Sequence, residues 1–168
     1  MKKTVAVIGS RGAIGNAVVD TLLADESVEA VFKFSRAENT EHEDKVKHIF
    51  IDIEDEESIK QATESLPEDT KFDLIFVATG ILHDEKNVFP EKSIKDISFD
   101  KLIKVLTINT IGPTLVGKYF IPYLRKDSKS TFAFLSARVG SISDNKLGGW
   151  YSYRASKTAL NPVSYTHL

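Results

Sequence analysis

Three glycines spaced three apart follow directly on a short apolar run: Val5-Ala6-Val7-Ile8 leads into Gly9-Ser10-Arg11-Gly12-Ala13-Ile14-Gly15. An apolar run with no polar alternation reads as a strand buried on both faces, the pattern of a parallel sheet. The glycines let the chain turn tightly, and residues 13–23 then place Ile14, Val18, Leu22 and Leu23 on one helical face. Strand, tight turn and helix in that order open a right-handed βαβ unit. The remaining sequence repeats the alternation. Residues 28–34, 46–53, 72–78 and 131–135 read as strands, and 55–66 and 99–124 as helices. The longer helix should bend near Gly112-Pro113, and a last helix begins near Trp150. The densely charged residues 38–47 read as a solvated loop, and 81–98 as a long polar connection. The expected fold is α/β: a three-layer, doubly wound parallel sheet with helices on both faces.

At 168 residues the chain has room for one domain with a real core. Lys and Arg total 22 against 24 Asp and Glu, so no electrostatic case exists for nucleic acid or an anionic membrane as partner. There is no cysteine, which rules out disulfides and thiolate chemistry and fits a cytoplasmic protein. His42, His48, His83 and His167 show no metal-ligand spacing. The apolar start is too short for a signal peptide, and no stretch approaches the length of a membrane span.

In open parallel sheets, ligands bind beyond the carboxyl ends of the strands. The glycine turn, Ala78-Thr79-Gly80, Ser136 and Tyr153 all follow strand ends and should share one rim. Glycines between a strand and a helix let a pyrophosphate approach the helix N-terminus, so the turn predicts a dinucleotide. About 20 residues on, where an NAD site usually carries an acid, the chain has Ser35-Arg36. Arginine pairs with a 2′-phosphate. With Arg11 as a second cation, the expected cofactor is NADP(H) rather than NAD(H). Asp52 could accept a hydrogen bond from an adenine amino group, or could equally be a helix N-cap or a loop carboxylate. The expected cofactor-binding residues are Gly9, Arg11, Gly12, Ile14, Gly15, Arg36, Asp52, Ile53, Ala78, Gly80 and Lys157.

Tyr153 and Lys157 stand four apart on the last helix and therefore on one face. A nearby ammonium is expected to make the phenol more acidic. Such a phenol could then exchange a proton with a carbonyl or an alcohol.

Together these residues resemble the short-chain dehydrogenase/reductase family over most of residues 1–161, with its motifs in order. The run from Gly148 to Lys157 is most similar to the C-factor and carbonyl-reductase branch. The resemblance implies a Rossmann-like NAD(P)-binding domain over 1–161. It further implies an NADP(H)-dependent oxidoreductase interconverting a carbonyl and a secondary alcohol on a small molecule. Tyr153 would be the general acid, assisted by Lys157. Asn109 would hold a water that links Lys157 to solvent, and a serine would orient the carbonyl. Relatives assemble through the long helix and the tyrosine helix, so the full-length protein is expected to be a homo-oligomer. Other roles compatible with the branch are a cofactor-binding signalling protein without essential catalysis, and an epimerase or dehydratase on the same fold.

The chain departs from the family in three places. Its glycine spacing differs from the commoner one. Val77-Ala78-Thr79-Gly80 stands where the family has Asn-Asn-Ala-Gly. Ser136-Ala137 replaces a serine pair, leaving Ser136, or Ser141 from the next loop, as the hydroxyl donor. Pro162 should stop the last helix, and residues 162–168 read as a non-native tail on a domain that lacks its final strands.

Overall fold

The computed structural model describes residues 2–37, 44–84 and 88–164. The expected loop residues 38–43 and the tail residues 165–168 lie outside the described residues, as do residues 85–87 of the long connection. Five strands, β1 (Lys3–Ile8), β2 (Val28–Ser35), β3 (Val46–Phe50), β4 (Leu74–Val77) and β5 (Thr131–Phe134), form one parallel sheet in the order β3-β2-β1-β4-β5. The helices are α1 (Ala13–Ala24), α2 (Glu56–Glu64), α3 (Phe99–Leu106), α4 (Gly112–Phe120) and α5 (Tyr151–Ser164).

Side chains alternate across a strand, and that alternation builds two cores. Val5 and Val7 of β1, with Val31 of β2, face α1 and pack around Val19. Ala6, Ile8, Phe32 and Phe34 face the other way, onto Ile59 and Ala62 of α2 and Val116 and Phe120 of α4. The Phe34 and Phe120 rings meet edge to face at 5.1 Å, a favoured aromatic geometry. The core face of α1 is thus Gly15 and Val19 with Val18, Leu22 and Leu23 around them. Ile14, expected on that face, is 51% exposed at the start of the helix.

β5 stops one residue short of the expected 131–135, and β3 and β4 are shorter still, each because a neighbour takes the backbone. The Ile51 amide still bonds to Ser35, but the next amide, Asp52, donates to the Ser58 hydroxyl as the chain turns into α2. Phe72 pairs with Tyr123 and Leu124 at the end of the long helix rather than with β1. The expected helix over 99–124 is α3, one π turn at Thr107–Ile111, α4 and a short 3₁₀ turn at Ile121–Tyr123. In the π turn the Gly112 amide reaches back five residues, to Thr107. Pro113 has no amide to return to Asn109, which favours the wider register at this point.

Contrary to the expected stop, α5 continues through Pro162 to Ser164. A proline one turn from a helix end removes a single intrahelical bond, and its fixed φ is already helical. Among the described residues no helix is long and apolar enough to cross a membrane.

Candidate active site

Strand order reverses between β1 and β4, and the carboxyl ends of these strands open with those of β2 and β3 on a cleft of about 440 Å³. Eight of the expected cofactor residues line it: Gly9, Arg11 and Gly12 from the turn, Arg36 after β2, Asp52 and Ile53 after β3, and Ala78 and Gly80 after β4. Ile14, Gly15 and Lys157 do not line it: Gly15 is buried under the turn, Ile14 is exposed away from the core, and Lys157 is buried behind Gly80. The cleft also takes in Thr79 of the expected rim segment, and Glu54 and Ile108, which the sequence did not single out.

The glycine turn depends on close backbone approach. Gly9 has φ +82°, and a Cβ on Gly15 would lie 2.2 Å from the Gly9 carbonyl oxygen. Gly12 begins α1 at φ −68°, a conformation open to any residue. It offers no side chain to cap the helix, and no acid occupies the first turn. The leading amides of α1 are thus left for an anion. By contrast, α2 is capped by the Asp55 carboxylate, which accepts from the Glu57 amide, and it opens with Glu56 and Glu57. Asp52 is therefore not the cap. One of its carboxylate oxygens accepts from the Glu54 amide at 3.0 Å. The Thr79 hydroxyl is buried with no hydrogen-bond partner among the described residues, on the wall of the same cleft. An uncapped helix end, a backbone cradle and an orphaned hydroxyl all fit a polar, anionic dinucleotide.

The Arg36 guanidinium is 3.8 Å from a Glu54 oxygen, and Glu54 also accepts from the Lys104 ammonium at 2.6 Å. One carboxylate is thus shared by two cations at the edge of the cleft, and the Arg36 side chain remains 69% exposed.

Tyr153 and Lys157 lie on the first two turns of α5, beside the Gly80 end of the cleft. Lys157 is buried, and its ammonium donates to the Leu135 carbonyl at 2.8 Å. A Cβ on Gly80 would sit 3.1 Å from that ammonium and 3.4 Å from Asn109 Oδ1. Asn109, fully buried in the π turn, clamps the segment after β4. It accepts from the Ile81 amide at 2.7 Å and donates to the Ile81 carbonyl at 2.9 Å and the Ser156 hydroxyl at 3.0 Å. Thr110 adds a bond to the Ser156 carbonyl at 2.8 Å. The β4 end, the π turn and α5 are locked together around Lys157.

The electrostatics differ from the expectation that Lys157 acidifies Tyr153. Burial pushes the phenol above its ordinary value, and burial lowers Lys157 to about 8. The ammonium stands 5.9 Å from the Tyr153 ring centroid and spends its hydrogen bond on Leu135, so desolvation dominates both groups.

Neither candidate serine bonds to Tyr153. The Ser136 hydroxyl donates to Asn161 Oδ1 at 2.7 Å, while that of Ser141 contacts Ser143 at 3.3 Å and accepts from the Asp144 amide. Sequence reasoning also missed Glu91. It is 4% exposed, and its carboxylate accepts from both the amide and the hydroxyl of Ser152, next to Tyr153. No local pattern in the sequence marks a residue 61 positions away as its partner.

A family model described as short chain dehydrogenase matches residues 3–166. A dehydrogenase of Rhodococcus sp. (strain AD45), acting on 1-hydroxy-2-glutathionyl-2-methyl-3-butene, is 31% identical over 114 residues, covering 67% of this chain and 46% of that protein. The C-signal protein of Myxococcus xanthus is 36% identical over 69 residues, covering 41% of this chain and 42% of that protein. The matched stretch spans less than half the length of either curated relative. Among solved structures, NADPH-bound carbonyl reductase from chicken fatty liver superposes with a TM-score of 0.79 at 26% identity, over 96% of this chain and 68% of that one.

Proposed function

This chain belongs to the short-chain dehydrogenase family, and on that premise we propose that it interconverts a carbonyl and a secondary alcohol on a small molecule with NADP(H). The observation that carries this reading is that Lys157 and Asn109 meet at the Gly80 end of the glycine cleft, with the Tyr153 ring 5.9 Å from that ammonium. Residues 1–161 form the dinucleotide-binding domain in this reading. The turn from Gly9 to Gly15 and the amides of α1 hold the pyrophosphate, and Arg11 and Arg36 face the 2′-phosphate. Asp52 and Ile53 flank the adenine, and Ala78, Gly80 and Lys157 flank the nicotinamide ribose. Bound there, the nicotinamide ring supplies the hydride in reduction and accepts it in oxidation.

The proton is the work of the chain itself. Tyr153, with its pKa raised by burial, is protonated at neutral pH and donates to the substrate oxygen as hydride reaches the carbon. In oxidation the phenolate takes the proton back. The Lys157 ammonium, 5.9 Å from the ring centroid, offsets part of the burial cost of that phenolate, and Asn109 ties α5 to the segment after β4 through the Ser156 hydroxyl.

Cofactor choice is tested by fluorescence titration with NADPH and NADH on wild type and on Arg36→Ala. We expect tighter NADPH binding in wild type and a gap narrowed about tenfold or more in the variant, the scale of one charge-assisted pair at ~1.5–3 kcal/mol. Equal or tighter NADH binding by wild type would overturn the NADP(H) assignment.

The hydroxyl that orients the carbonyl is assigned to Ser136, with Ser141 as its substitute. One of the two alanine variants should lose at least about tenfold in kcat, ~1.4 kcal/mol of barrier. Retention of full kcat by both would show that no serine is essential.

A further inference from the structure

We propose that Glu91 is the positioning residue for Tyr153, acting through Ser152 as the cap of α5 from outside the helix. The inference rests on the reductase reading above. α5 begins without a cap of its own. The residue before it, Trp150, closes the first turn with its carbonyl, which accepts from the Arg154 amide at 2.8 Å, but an indole has no acceptor for the leading amides. The approach is an unusual turn, with Gly148, Gly149 and Trp150 at φ +66°, +67° and +52°. A tryptophan in the left-handed region is strained and persists only when its surroundings hold it there.

Glu91 supplies that hold. Its carbonyl accepts from the Trp150 amide at 2.6 Å. Its carboxylate accepts from the Ser152 amide at 3.2 Å and from the Ser152 hydroxyl. Both residues are buried, Glu91 at 4% and Ser152 at 2% exposure. A negative group at a helix N-terminus also opposes the positive end of the helix dipole. Three bonds from one residue of the segment between β4 and α3 thus fix the first turn of α5.

That turn carries Tyr153 but not Lys157. Lys157 is secured separately by Leu135, and α5 by the Asn109 and Thr110 bonds to Ser156. Loss of Glu91 should therefore loosen the phenol while leaving the lysine, the glycine cleft and the sheet in place. The Trp150 ring packs edge-on to Tyr153 at a centroid distance of 6.4 Å, and it is the only tryptophan in the sequence. Its fluorescence reports on this turn without any requirement for turnover.

The test compares wild type, Glu91→Ala, Glu91→Gln and Ser152→Ala by kcat, by the Kd for NADPH and by acrylamide quenching of Trp150. We expect Glu91→Ala to lower kcat by about 10²-fold, the scale of a misplaced reacting group, with the NADPH Kd unchanged and quenching increased. Glu91→Gln keeps an acceptor for the Ser152 amide and should recover most of both signals. Ser152→Ala keeps the amide bond but not the hydroxyl bond, and should fall between. Wild-type kcat and wild-type quenching in Glu91→Ala would overturn the proposal. So would an equal loss of NADPH binding in the glutamine variant, since that marks general unfolding. Should wild type show no turnover, the reductase reading fails, and the quenching comparison still decides whether Glu91 caps α5.

Discussion

Replacing Tyr153 with phenylalanine is expected to lower the reductase kcat by ~10²–10⁴-fold, the range contributed by one positioned proton donor. The Kd for NADPH should stay at its wild-type value. The ring, its packing against Trp150 and the helix remain, and only the hydroxyl goes. The wild-type pH profile follows from the same pair. Reduction needs a protonated phenol, and burial holds Tyr153 protonated beyond its ordinary range. Lys157, at about 8, loses its proton first. Activity should therefore fall as pH rises through about 8, while Tyr153 is still an acid. Stability moves the other way. The unfolded lysine has its ordinary value of 10.5, so between about 8 and 10.5 the unfolded chain binds more protons than the folded one. Folding stability from this group rises with pH across that window. Thermal melts at pH 8 and pH 10 on wild type and Lys157→Met isolate its share. A Tyr153→Phe enzyme with wild-type kcat would remove the phenol from the chemistry.

The elements legible in the sequence were those set by local rules. The run Val5 to Ile8 was legible because burial on both faces leaves an unbroken apolar signal, and β3 was legible from its alternation of apolar and polar residues. The glycine turn, Arg36, Asp52 and Ala78-Thr79-Gly80 share the cleft because each trails a strand end, whereas Asn109 and Lys157 come from helices. What the sequence left open depends on distant partners. Ile14 looked like a core residue by periodicity, yet it is 51% exposed while its neighbour Gly15 is buried in the same turn. Four-residue spacing correctly put Tyr153 and Lys157 on one face, but the direction of the Tyr153 shift depends on where the ammonium finds its acceptor. That acceptor, the Leu135 carbonyl, is 22 residues away. Glu54 reads locally as one more surface acid. Its role at the cleft appears only when Arg36 from β2 and Lys104 from α3 meet on it.

Gly15→Ala should cost both stability and dinucleotide binding, while Gly12→Ala, in the same turn, should cost little stability. At Gly15 the new Cβ would lie 2.2 Å from the Gly9 carbonyl oxygen, 2.9 Å from the Gly9 carbonyl carbon and 3.1 Å from Ser10 Cα. All three are backbone atoms of the turn, so no side chain can rotate away. Gly9 cannot retreat either. Its φ of +82° is held by an amide bond to the Phe34 carbonyl at 2.9 Å, and the Thr79 methyl fills the space behind its Cα. The clash must then be relieved by lifting α1 off β1. That opens the Val19 contact with Val5 and Val7 and displaces the leading amides of α1, the proposed pyrophosphate site. Overpacking of this kind costs ~1–3 kcal/mol, several degrees of Tm for a chain of this size. At Gly12 the nearest atom would be 3.4 Å away and φ is already ordinary, so alanine fits. Melting curves and NADPH titrations of the two variants side by side check this. If Gly15→Ala matches wild type in Tm and Kd, close approach in this turn does not govern binding, and the cradle reading of the glycines fails.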